Sequence, residues 1–210
     1  MLQKIFGGLA DKARRYVKKG IPMIKGKLCI LRPICPKDLE MIRQWRLSEF
    51  VQSKFPSWDA ITPASQESWY QSISGSAQCC YFLITDLKGA GVGVIYLVQI
   101  DRRNRHAEFG YYIGEPLALN SGIAIGAEFL ILDYAFGYLN LKKVWCETMD
   151  YNKPVIRVHE RFGFKHDGVL RSHAFRHGEF QNLVLMSILD EEFKDSKKNI
   201  VKILEGLSDR

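Results

Sequence analysis

At 210 residues, 47% of them hydrophobic and 25% charged, the chain is long enough for one domain with a proper core. Its apolar runs, such as the stretch from Phe129 to Phe136, stop well short of the ~20 residues that cross a bilayer. No secretory apolar region precedes a small-residue cleavage site, and five cysteines without C-x-x-C spacing argue against both a disulfide framework and a zinc site. The net charge of +7 is no nucleic-acid footprint, because residues 1–27 hold eight bases against Asp11 and the remainder is neutral.

In chain order, residues 1–20 come first. Leu2, Ile5, Phe6, Leu9, Ala13, Tyr16 and Val17 share one helical face, with lysines and arginines opposite. The pattern gives a basic amphipathic helix within 1–25, suited to an anionic membrane surface or to packing on protein; a mitochondrial presequence is a third reading. "GKLCILRPI" then reads as a strand, and Pro36 opens a helix through "KDLEMIRQWRLSEF". "SKFPSWDAITP" is a loop, and Pro63 starts a helix ending at Ile73. "CYFLITD" and "VGVIYLVQI" form a hairpin through "LKGAG", and "RHAEFGYYIG" is a third strand whose alternation sets Glu108 on the face opposite Ala107 and Phe109.

A loop of small residues, Leu119-Asn120-Ser121-Gly122, next opens the helix "GAEFLILDYAFGYLN". Such a loop leaves first-turn N–H groups without partners at the positive end of the helix, which makes either an anion site or a plain N-cap. Strand "KVWCETM", helix "NKPVIRVHERFGF" closed by Gly163, and two strands joined at "RHGEF" complete the order. The fold class is α+β, a mixed and mostly antiparallel twisted sheet with helices on both faces, over residues 26–190. Residues 191–210 form a helical tail. No metal is predicted.

This order resembles the GNAT superfamily of acyl-CoA-dependent N-acyltransferases, whose pyrophosphate loop is written Q/R-x-x-G-x-G/A. Here that loop is Leu119 to Ala124, with Leu119 in place of Gln or Arg. The second signature, N-x-x-A/V-x-x-x-Y-x-x-x-G-F, is met by "NKPVIRVHERFGF" with His159 at the tyrosine position. The finer resemblance is to the branch holding ribosomal-protein, polyamine and sugar-nucleotide N-acetyltransferases. "LRPICPKDLEMIRQWR", "HAEFGYYIGEP" and the tail "DGVLRSHAFRHGEFQNLVLMSIL" look most like the sugar-nucleotide enzymes of pseudaminic acid synthesis.

The resemblance implies acetyl-CoA as cosubstrate, held by Asn120, Ser121, Gly122, Ile123, Ala124, Ile125 and Gly126 at the pyrophosphate. Asn152 and Val155 would stand along the pantetheine. Backbone N–H groups from Tyr112, Ile113 and Gly114 would serve the oxyanion. Glu108 is the candidate base acting through water, or else an ion-pair partner of Arg103 or Arg105. His159 is the candidate proton donor to the departing thiolate, or else a hydrogen-bond partner of the CoA sulfur or of a core carbonyl. Arg46, Trp58, Arg171, His173 and Phe175 lie on segments that the family places around the acceptor. The expected substrate is a nucleotide-linked amino sugar, with a ribosomal-protein or polyamine acceptor as the alternative, and a membrane-docked CoA-binding module without activity as another. The expected setting is cytoplasmic, at most peripheral to the inner membrane, with a homodimer among the partners and no nucleic acid.

Overall fold

The computed structural model describes residues 21–55, 60–176 and 178–208. The expected N-terminal helix, residues 1–20, therefore lies outside the described residues. Residues 21–25 are not part of a helix, since Ile24–Lys25 form a short strand, β1. Strand β2 (Ile30–Pro33) follows, then a 3-10 turn (Pro36–Asp38) and helix α1 (Leu39–Leu47). The single helix expected through Phe50 is broken at Ser48, which is extended and accepts from the Val51 N–H to cap the short helix α2 (Glu49–Gln52). Helix α3 (Pro63–Ile73) starts at a Thr62–Ser65 capping box, with proline in its first turn.

Strands β3 (Cys80–Thr85), β4 (Gly91–Asp101) and β5 (His106–Ile113) form an antiparallel meander. Helix α4 (Ile123–Asp133) passes into a wider π-helical turn (Tyr134–Tyr138). Then come β6 (Lys143–Met149), α5 (Lys153–Phe162), β7 (Lys165–Arg176), β8 (Glu179–Leu189) and α6 (Asp190–Ser208). The sheet has eight strands in the order β1-β2-β3-β4-β5-β6-β8-β7. Helix α6 is docked, with Phe193, Ile200 and Leu204 buried in the main core.

One pairing differs from all the others. β5 and β6 are parallel and join through only three residue pairs, His106–Lys143, Ala107–Val144 and Glu108–Trp145. Beyond them β5 stays with β4 as far as Ile113, while β6 stays with β8 as far as Met149. Each strand keeps its outer neighbour, so the two part into a fork whose inner edges carry unpaired backbone groups.

The faces of β5 divide the core. Ala107 and Phe109 pack against α4, α5 and α6, whereas Tyr112 packs with Ile42 and Trp45 of α1. Close approach fixes two glycines here. A Cβ on Gly110 would meet Tyr96 Oη at 2.3 Å, and one on Gly114 would meet the Trp45 ring at 2.2 Å.

Under the fork lies a buried ion pair. His159 on α5 and Glu128 on α4 are 2% and 0% exposed, with His159 Nδ1 at 2.8 Å from Glu128 Oε1. The ring also meets the Cys146 thiol of β6 and is walled by Phe109, Tyr111 and Phe164. Burial favours the neutral ring, but the Glu128 carboxylate and the Cys146 sulfur outweigh it and raise the imidazole to about 10. The pair ties α4 to α5, so one-sided removal leaves a buried charge uncompensated. His159→Leu should cost about 3–5 kcal/mol, and Glu128→Met combined with His159→Leu less than half of that. Urea unfolding of the single and double variants checks the coupling; additive losses would contradict it. Because the folded pKa lies above the unfolded 6.5, this stabilisation is full below 6.5 and is lost as pH rises through about 10.

Candidate active site

On the α1–α3 side of the sheet, a cavity of about 450 Å³ opens beside the fork. Its walls are aromatic: Trp69 stands edge-on to Tyr81 at 5.3 Å, and Tyr81 stacks on Tyr96 at 5.0 Å. Glu108 lines it from the last residue of β5 that pairs with β6. The carboxylate is half-buried and accepts from Gln99 Nε2 at 2.7 Å. Gln99 is brought there by an irregularity in β4, where it adopts φ 50° and the register with β5 shifts. Burial and the nearby Glu147 charge raise the Glu108 pKa, against the Gln99 hydrogen bond that lowers it. The ion-pair alternative is not what forms: Arg105 instead binds the Asn140 carbonyl and side chain at 2.8 and 3.0 Å.

The loop before α4 has the geometry that an anion requires. Asn120 is exposed at φ 62°, and Gly122 is the N-cap at φ 81°, a left-handed conformation that favours glycine. A Cβ on Gly122 would come within 3.1 Å of Leu207 and 3.2 Å of Leu28, so the position is confined as well. Ser121 Oγ donates to the Ala118 carbonyl and accepts from the Ile123 N–H. The Gly126 N–H closes the first turn on the Gly122 carbonyl, leaving Ala124 and Ile125 as first-turn donors with no carbonyl four residues back within the helix. Asn152 is the N-cap of α5 but makes no side-chain cap bond, and Val155 is partly buried one turn on.

Other expected site residues are placed differently. The Gly114 N–H is bonded to the Val92 carbonyl at 2.8 Å, so by strand alternation Tyr112 also directs its N–H to β4. The fork edge belongs to Tyr111 and Ile113 instead, as the Arg105 carbonyl, which accepts from Lys142 and Lys143 on that same side, corroborates. His159 does not line the cavity; it is 2% exposed, and its Nδ1 is engaged with Glu128 in the core. Its shorter ring sits deeper than a phenol would. Arg46 lines the cavity, 4.5 Å over the Phe55 ring. Arg171, His173 and Phe175 are exposed on β7, the far edge strand, and none lines the cavity. A register irregularity between Leu170 and Ala174 interrupts the strand at these positions. Trp58 lies outside the described residues.

Two site residues escaped sequence reasoning. Gln99 could not be found without the β4 irregularity. Gln66 left a trace: it is a polar residue one turn from Trp69 and two from Ile73, on a face otherwise apolar. It is 5% exposed, lines the cavity, and its Nε2 has no hydrogen-bond partner among the described residues. Among the described residues no group of three or more His, Cys, Asp or Glu side chains is placed to hold a metal, and no helix is long and apolar enough to cross a membrane.

Comparison with known proteins places this geometry. A spermidine N(1)-acetyltransferase of Escherichia coli is 30% identical over 110 residues, 52% of this chain and 59% of that protein. The chain thus spans under two thirds of that relative. A putative ribosomal N-acetyltransferase of Bacillus subtilis is 29% identical, over 80% of this chain and 94% of its own length. Among solved structures, the spermidine N-acetyltransferase of Vibrio cholerae in complex with CoA and spermine superposes with a TM-score of 0.76 at 24% identity, covering 80% of this chain and 99% of that one. A GCN5-related N-acetyltransferase of Brucella melitensis gives 0.72 at 26% identity, over 87% and 85%. The family described as "Acetyltransferase (GNAT) domain" matches residues 29–165, and the chain belongs to that family.

Proposed function

We propose that the chain is an acetyl-CoA-dependent N-acetyltransferase of a small primary amine. The observation that carries the reading is the position of Glu108. It is the last paired residue before the β5–β6 fork, and its half-buried carboxylate lines a cavity large enough for a small acceptor.

The residues fit acetyl-CoA. The first-turn donors of α4 and the confined Gly122 suit a pyrophosphate, and the open edge of β5 suits an amide-bearing chain. Acetyl-CoA, when bound, supplies an activated acetyl thioester. Glu108, acting through water, takes the proton that the attacking amine must lose. The N–H groups of Tyr111 and Ile113, on the fork edge, are the donors for a developing oxyanion. The aromatic walls exclude water and offer their faces to an ammonium group on its way in.

Relatives named spermidine N-acetyltransferases support a polyamine as acceptor, ahead of the nucleotide-linked amino sugar expected from the sequence. A second reading, an amine that carries phosphate, is favoured by one observation: Arg46 lines the cavity with no carboxylate partner among the described residues. A turnover screen with acetyl-CoA against spermidine, amino-sugar nucleotides and ribosomal N-terminal peptides separates these acceptors. Turnover of none would refute the proposal.

Two variants test the machinery. Glu108→Gln should lower kcat by roughly 10²–10⁴-fold. In the wild type the raised Glu108 pKa means that the base form is lost as pH falls through a value above the usual carboxylate range. The acid limb of kcat/KM should therefore lie above that range and vanish in the variant; an unchanged profile would remove Glu108 from the chemistry. Asn120→Asp keeps a residue tolerant of the left-handed conformation and adds one negative charge at the anion loop. Calorimetry should show CoA affinity reduced about tenfold at low salt, with no loss of thermal stability, since an acidic group at a helix N-terminus is itself stabilising. Unchanged affinity would place the pyrophosphate elsewhere.

A further inference from the structure

The cavity is lined by hydrogen-bond donors that no described residue satisfies. Gln66 is 95% buried by its 5% exposure, and its Nε2 has no partner among the described residues. Native folds seldom leave a buried amide in this state, because the group has lost its water and gained nothing in exchange. The helix does not need it. Helix α3 is started by the Thr62–Ser65 capping box, and the side chain of Gln66 contributes nothing to that cap.

Arg46, reaching the same cavity from α1, is a cation with no carboxylate partner among the described residues. Two donor residues on the helices thus line the same cavity as Glu108 on the sheet. A protonated polyamine consists of donors and apolar methylenes, so it leaves both unmet. An anionic oxygen meets both at once.

We propose that Gln66, with Arg46 on the same cavity, forms an oxygen-reading subsite, and that the preferred acceptor is a primary amine carrying a phosphoryl or carboxylate oxygen. The inference rests on the N-acetyltransferase reading above and takes the second of its acceptors over the polyamine that the relatives' names suggest. Gln66 binds the oxygen through its amide N–H, Arg46 balances the charge, and Glu108 receives the amine end. A site built to hydrogen-bond one group discriminates strongly against substrates that lack it, since its own polar atoms then stay unpaired.

The test uses the full chain, with spermidine, glucosamine 6-phosphate, an amino-sugar nucleotide and a free amino acid as acceptors. The wild type should favour a phosphorylated or carboxylated amine over spermidine, and which of these it takes best identifies the oxygen. Gln66→Met preserves volume and removes the unpaired amide. Its thermal midpoint should rise, its KM for acetyl-CoA should stay the same, and its preference for the oxygen-bearing amine over spermidine should fall about tenfold or more, through KM. Gln66→Glu restores polarity but sets a carboxylate against the oxygen, and should lower that preference further. A lowered midpoint in Gln66→Met would make the residue structural and overturn the proposal. So would an unchanged preference in both variants, or a wild type that takes spermidine above every oxygen-bearing amine. If the wild type acetylates no amine at all, the acetyltransferase reading fails and the subsite falls with it. That outcome is distinguishable, because in every other case the wild type turns over.

Discussion

The parallel contact between β5 and β6 is the constraint on which the rest depends. Three residue pairs hold the two halves of the sheet together, and everything beyond them is open. Had the pairing continued, β5 would offer no free backbone edge and Glu108 would face a closed sheet. Had it been absent, the meander β1–β5 and the β6–β8–β7 unit would share little besides helices. The short contact leaves a wedge-shaped gap at the one place where side chains from both sheet faces come within reach. The neighbours enforce it: β4 and β8 each pair with their partner well past the fork, so closing the gap would mean giving up hydrogen bonds already made.

The fork also separates charge. On the core side, the helix α4 N-terminus presents donors, and the body of that helix is tied down by Glu128 to His159. On the cavity side, the carboxylate of Glu108 stands among aromatic rings. On the proposed reading, the cofactor and the acceptor amine approach from opposite sides of one sheet and meet at its gap. The buried pair has a second consequence. An imidazole at position 159 cannot stay charged in an apolar core unless a carboxylate lies against it, and Glu128 on the following face of α4 provides one. The substitution of histidine for the tyrosine common in this family is therefore not a change of one residue. It requires an acid on a different helix, 31 positions away in the chain.

Much of this was legible in the chain itself. The order of elements, the helix from Pro63 to Ile73, the glycine-closed helix before Phe164 and the face of Glu108 follow from alternation, helical period and capping, which are local. The loop before α4 was legible for the same reason: Gly122 and the small residues around it form one short stretch. The burial of His159 was not legible, because its motif position says where the backbone lies and nothing of how deep a shorter ring will sit. Arg171, His173 and Phe175 were read from a resemblance between segments, and a segment does not say which way its side chains turn: the strand is irregular there, with Ser172 at φ 50° in the middle of it.

The cavity was the least legible part, and the reason is physical. Arg46, Gln66 and Glu108 reach it from two helices and a strand, and Gln99, which bonds Glu108, from another strand, with no spacing that marks them as a set. Nothing local distinguishes Arg46 from a solvated surface arginine, or Gln66 from a tolerated polar residue on a helix. What distinguishes them is the lack, among the described residues, of a carboxylate for Arg46 and of a hydrogen-bond acceptor for the Gln66 amide, and that property belongs to the folded structure. A motif announces a group that the backbone of every relative must hold, such as a pyrophosphate at a helix N-terminus. An acceptor differs from relative to relative, so its contacts are free to come from wherever the fold brings a side chain to the cavity wall. Accordingly, the donors left unmet on that wall carry more information about the acceptor than the motifs that name the family.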